Sequence, residues 1–167
     1  MGAVRQNQRN IRGKQQKSTS MSAANLTYAE RVCAGKAVRL TPMRRQVLQI
    51  ILGSKEPIGA YEILAQLNKL RSEHRAPVTV YRALDFLIGN GLVHRVTSLN
   101  AFIACDHPDH NESAQLLICR DCGATEEVTD RTVEAAIAKL ASRRGYIKVA
   151  PLVEIAGTCA TCHNQNR

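Results

Sequence analysis

The run Thr79-Val80-Tyr81-Arg82-Ala83-Leu84-Asp85-Phe86-Leu87-Ile88, closed by Gly89-Asn90-Gly91, decides the fold. Val80, Ala83, Leu84, Leu87 and Ile88 recur with the period of a helix that buries one stripe, leaving Tyr81, Arg82 and Asp85 on its other side. Past the glycines the period becomes that of strands, and Leu92–Val96 and Ala101–Cys105 read as a hairpin around a turn at 97–100. Upstream, three more helical segments precede the run. The first, from Asn25 through Tyr28 to Ala34, contains Cys33, which has no Cys or His nearby in sequence and reads as a small core residue. The second opens at Thr41-Pro42, a capping side chain followed by a proline at the first helical position, and carries Met43, Val47, Ile50 and Ile51 to a stop near Gly53. The third runs from Ala60 with Ile63, Leu64 and Leu67 inward, until Ala76-Pro77 breaks the pattern. Helices followed by a β-hairpin make a winged helix-turn-helix. The 79–88 helix, with Tyr81 and Arg82 outward, fits the major groove of double-stranded DNA, where Arg pairs with guanine and an aromatic ring contacts the thymine methyl.

The charge distribution agrees. Residues 1–95 hold 16 Lys/Arg and 5 Asp/Glu, a balance of +11, whereas residues 96–167 hold 7 and 9, a balance of −2, so the total of +9 comes from the first half. Five of the six cysteines lie in the second half. A polyanion-binding module followed by a metal-binding module is the expectation. Residues 1–24, with five Lys/Arg, no acidic residue and much Gln, Asn and Ser, read as a flexible basic tail. No apolar run reaches the ~18 residues of a membrane span, and the polar start has no secretory h-region; a cytoplasmic protein is expected.

The second half opens with a polar stretch, 106–113, that reads as a hinge. Leu116–Ile118 and Ala124–Val128 read as strands turned at Gly123. A helix from about Asp130 buries Val133, Ala136, Ile137, Leu140 and Ala141 and stops at Gly145; Tyr146–Ile155 reads as further strand, broken at Pro151. No clear βαβ crossover is visible. The expected architecture is α+β: a winged-helix domain over 25–105, the hinge, and a small α/β domain over 114–167 whose free strand edges a second copy would cover, giving a homodimer.

Cys119-x-x-Cys122 and Cys159-x-x-Cys162 supply four thiolates for a closed tetrahedral zinc site. The 36 residues between the pairs exceed zinc-ribbon spacing. A doubling of loop length costs only about 0.6 kcal/mol, small against the ~10–16 kcal/mol that structural zinc supplies. The competing reading is a dithiol redox switch. A looser set, His94, Cys105, His107, His110, Glu112 and Glu127, gathers N, S and O donors around the linker, a mixture that suits zinc. No H-E-x-x-H or comparable catalytic signature occurs, so a zinc enzyme with a small-molecule substrate is disfavoured.

Leu40-Thr41-Pro42-x-Arg44, the Thr79–Leu87 run, Cys119-x-x-Cys122-Gly123 and Cys159-x-x-Cys162 together resemble the ferric uptake regulator family, and within it the zinc uptake regulator branch, from about Ala29 to Cys162. The resemblance implies a bacterial dimeric repressor with a winged-helix domain, a hinge and an α/β dimerisation domain, in which zinc at the hinge orders the dimer on palindromic operators of zinc-uptake genes. By position it implies Cys119, Cys122, Cys159 and Cys162 as the structural zinc ligands. Tyr81 and Arg82 become the DNA-reading pair, and His94, Cys105 and Glu127 the regulatory ligands. That makes two zinc ions per subunit. The branch has histidine seven residues before the first paired cysteine, where Glu112 stands here; His110 is the favoured fourth ligand and Glu112 the alternative. Glu134 fits the carboxylate of the family's additional site, but Pro151 stands where iron sensors carry histidine, so no third high-affinity site is expected. An iron or peroxide sensor of the same family, or a DNA-binding protein with structural zinc and no switching, are the alternatives.

Overall fold

The computed structural model describes residues 25–71, 75–105, 114–147 and 152–165. The basic tail, the 106–113 segment with His107, His110 and Glu112, and Pro151 lie outside the described residues.

Helix α1 (residues 25–35) is followed by α2 (Pro42–Gly53), strand β1 (Ile58–Gly59), α3 (Ala60–Arg71) and α4 (Pro77–Gly89). Thr41 caps α2 as its sequence dictates, its hydroxyl accepting from the Arg44 N–H. Arg44 then lies over the Phe86 ring, 3.5 Å from Cζ to centroid, and donates to the Arg39 carbonyl at 2.6 Å. Two residues of the motifs are thus packing partners that seat α2 against α4. Helix α4 begins at Pro77, two residues before the expected Thr79, because a proline at the first helical position forfeits no bond. Val47, Leu48, Ile63, Leu67, Val80, Leu84 and Leu87 are fully buried where α2, α3 and α4 meet, each stabilising by about 1.5–3 kcal/mol. Cys33 joins this core, as expected.

Ile88, expected inside, is exposed. The helix ends one residue later, and the Leu92 N–H returns to the Leu87 carbonyl, so the departing chain runs beside Leu87. Strands β2 (Val93–Val96) and β3 (Ala101–Ala104) form the wing, joined by a 3₁₀ turn (Thr97–Leu99) with Asn100 left-handed at φ 48°. Strand β1 completes the antiparallel sheet in the order β1-β3-β2. At two residues it is too short to show an alternation.

The second sheet comprises β4 (Ala114–Cys119), β5 (Thr125–Val128) and β6 (Leu152–Gly157), in the order β5-β4-β6. Strand β4 is antiparallel to β5 and parallel to β6, so β5 and α5 (Arg131–Arg143) together make a crossover that short strands concealed in the sequence. Asp130 caps α5, accepting from the N–H groups of Thr132 at 2.7 Å and Val133 at 3.2 Å. No residue of α5 is buried, and Leu140 is 61% exposed, contrary to the inward stripe expected. The apolar stripe exists, but among the described residues nothing buries it. Tyr146 and Ile147, expected as strand, are irregular, Leu152–Gly157 is strand as expected through Ile155, and a short α6 (Ala160–Gln165) follows Cys159.

Val96 of the wing and Leu116 and Ile118 of β4 form a separate buried cluster with Ile103 against it. It joins the wing to the second sheet.

Candidate metal centres

Cys119 ends β4, and Cys159 lies two residues beyond β6. These are neighbouring parallel strands with Cys119 opposite Gly157, so both C-x-x-C pairs emerge at the same end of one sheet. The sheet therefore closes the long intervening loop before any metal arrives. All four sulfurs lie within 4.8 Å of one another, with Cys122 and Cys159 3.9 Å apart. Tetrahedral Zn–S bonds of 2.3 Å require S···S separations of ~3.8 Å. A redox dithiol needs two sulfurs; here four converge.

The surroundings prepare that cluster for a cation. The Cys159 N–H donates to Cys119 Sγ at 3.3 Å, and this bond, with others from Cys122 and Asp121, lowers the Cys119 thiol to about 6. The facing Cys159 and Cys122 sulfurs drive Cys162 strongly the other way. Without a cation the surroundings favour a thiolate at Cys119 and disfavour one at Cys122 and Cys162. A dication removes that conflict.

The second group brings together His94 from β2, Cys105 just past β3, and Glu127 from β5, with ligand atoms likewise within 4.8 Å. His94 Nε2 is 3.2 Å from Glu127 Oε1, and Cys105 Sγ is 3.8 Å from the same oxygen. Glu127 is 8% exposed, unusual for a carboxylate. His94 Nε2 is buried, and among the described residues nothing meets it in hydrogen-bonding geometry. A buried imidazole nitrogen set 3.2 Å from a buried carboxylate and beside a thiol, yet outside hydrogen-bonding geometry, fits a metal ligand better than a structural histidine. Burial would lower the His94 imidazole, but the facing Cys105 and Glu127 groups outweigh it and push it up to about 9. The candidate fourth ligands, His110 and Glu112, lie outside the described residues.

Tyr81 and Arg82, the expected DNA-reading pair, stand exposed on α4, away from its buried stripe. Glu134 is partly buried in the first turn of α5 and belongs to neither metal-binding group. One residue the sequence did not single out is Glu154 of β6, whose carboxylate accepts from the N–H groups of Thr97 at 2.5 Å and Ser98 at 3.0 Å. No local pattern marks it, because its partners are 57 and 56 residues away.

Residues 35–155 match the model of the ferric uptake regulator family. The chain belongs to that family. Within it, the chain is 39% identical over 140 residues to the zinc uptake regulation protein of Escherichia coli K12, covering 82% of this chain and 80% of that one. A zinc uptake regulator complexed with zinc and DNA superposes with a TM-score of 0.80 at 36% identity, over 87% of this chain and 97% of the other. The holo form of XcZur gives 0.74 at 41% identity over 83% and 96% of the two chains. Its apo form gives only 0.50 at 38%, over 86% and 99%. The fold is thus the family's winged-helix domain joined to a dimerisation domain, in an arrangement nearer the holo form than the apo form. No helix among the described residues is long and apolar enough to cross a membrane.

Proposed function

We propose that this family member is a zinc-responsive transcriptional repressor, a regulator and not an enzyme, whose operator binding depends on zinc held between its two domains. The observation that carries the reading is the meeting of His94 and Cys105, from the wing, with Glu127, from the second sheet, their ligand atoms within 4.8 Å of one another. Residues 25–105 form the reading head, 106–113 the hinge and 114–167 the dimerisation domain. His94, Cys105 and Glu127 hold the regulatory zinc with a fourth donor, His110 or Glu112, from the hinge. Cys119, Cys122, Cys159 and Cys162 hold the structural zinc, making two per subunit.

When bound, the regulatory ion supplies a positive centre that holds donors from both domains in one pose. The protein arranges the rest. Glu127 holds a carboxyl group buried beneath the wing, His94 presents Nε2 to it, and Val96 shares a buried cluster with Leu116 and Ile118 so that the wing lies against the sheet. A soft Cys105 sulfur among the donors favours zinc over an iron sensor. Tyr81 and Arg82 then face outward for the major groove, and two such heads spaced one helical turn apart read a palindrome. The exposed apolar residues Leu117 and Ile155, paired on one face of the second sheet, and Leu140 of α5 supply apolar surface for a second copy. The homologues named for zinc uptake, and the relative solved with zinc and DNA, support this reading.

The test selects a binding duplex from a random library with the zinc-loaded protein. Its affinity is then measured across free-zinc concentration for the wild type and Cys105→Ser. The wild type should bind only at high zinc, and the variant should stay folded, keep the four-cysteine zinc and lose the response. Equal affinity at all zinc levels in the wild type would overturn the reading.

A further inference from the structure

Leu116 of β4 lies opposite Glu127 of β5 on one side and Glu154 of β6 on the other. Residues paired in register point to the same face of a sheet, so the three form one row: carboxylate, leucine, carboxylate. The wing crosses that row. His94 lies against Glu127, Val96 is buried in one cluster with Leu116 and Ile118 of the middle strand, and the next two residues, Thr97 and Ser98, donate their N–H groups to Glu154. One short segment, 94–98, therefore meets all three strands in sequence order. Its far end is fastened without any ligand.

We propose that Glu154 is a positioning residue of the zinc switch: by gripping the tip of the wing it holds His94 and Cys105 over Glu127 and thereby raises the affinity of the interdomain zinc site. The inference rests on the proposed function. Neither Thr97 nor Ser98 has a local substitute for this acceptor, since Val96, which precedes the 3₁₀ turn, caps it with no side-chain bond. Charge-assisted bonds to two backbone donors are among the stronger polar contacts. Partial burial alone would raise the Glu154 carboxyl, yet hydrogen bonds from Ser98 and Thr97 more than offset it and hold it below its ordinary value. The grip is therefore made by the ionised form. Glu127 and Glu154 divide the labour: one meets the wing through the metal site, the other directly.

The test uses full-length Glu154→Ala and Glu154→Gln dimers. Regulatory-zinc affinity is measured by competition with a fluorescent chelator, and amide exchange is followed at Thr97 and Ser98. Glu154→Ala should weaken the regulatory site about tenfold, an exposed charge-assisted contact being discounted for screening, and leave the four-cysteine zinc in place. Glu154→Gln, whose amide keeps one acceptor but faces the second donor with its NH₂, should fall between. Exchange at Thr97 and Ser98 should accelerate in Glu154→Ala, including in zinc-free protein. A zinc-responsive wild type whose titration both variants reproduce refutes the role of Glu154 alone, as does unchanged exchange at both amides. A wild type whose duplex affinity ignores zinc refutes the functional reading and this inference with it.

Discussion

Replacing both partners of His94, in the double variant Cys105→Ser, Glu127→Gln, tests the electrostatics of the interdomain site. In zinc-free protein the imidazole is pushed from 6.5 up to about 9 by two groups that outweigh its burial. That difference corresponds to ~3 kcal/mol in favour of the charged ring, or about 2 kcal/mol after discounting for solvent screening of a side chain that is 18% exposed. The sign follows from linkage. A raised folded value stabilises the closed zinc-free pose fully below pH 6.5, and that contribution disappears as pH climbs through about 9. With both partners removed only burial remains, and it acts in the opposite direction. The His94 ring should then titrate below 6.5, while Glu127→Gln alone should leave it in between. Ring-proton NMR titration of zinc-free protein reads this directly. A ring still titrating near 9 in the double variant would refute the geometry around His94.

Zinc affinity of the regulatory site should rise with pH from neutrality to about 9, because His94 must shed its proton before it can ligate; calorimetry in buffers of differing ionisation enthalpy should record the release. Cys162→Ser should lose the tightly held zinc and melt at clearly lower temperature by circular dichroism, because structural zinc supplies ~10–16 kcal/mol. Arg82→Ala should weaken binding to the selected duplex by about 1–3 kcal/mol in fluorescence anisotropy, with zinc content unchanged. Leu140→Glu should shift sedimentation toward monomer, since a side chain 61% exposed in the single chain is proposed to be covered by the second copy.

Much of this was legible in the chain because it is written locally. The stripe of α4 repeats every turn, Thr41-Pro42 announces its helix, and the spacing within each cysteine pair is itself a ligand geometry. Features that failed to show depend on distant partners. Two residues of β1 exist as strand only because β3 lies beside them. The parallel partnership of β4 and β6 leaves no periodic trace, although it explains why the cysteine pairs meet. Helix α5 carries the expected stripe but is uncovered in one chain, because the sequence specifies a face without naming which copy covers it. His94, Cys105 and Glu127 could be picked out by donor chemistry, yet only the crossing of the wing over the second sheet joins them. Glu154 carries the same carboxylate, but its partners are the distant backbone N–H groups of Thr97 and Ser98, which leave no mark in the sequence.

The most direct test is anomalous diffraction at the zinc edge from crystals of the zinc-loaded dimer. The account predicts two peaks per subunit, one among Cys119, Cys122, Cys159 and Cys162, the other joining His94 and Cys105 to Glu127. A fully loaded crystal with zinc at the four cysteines alone, and none between wing and sheet, would contradict it.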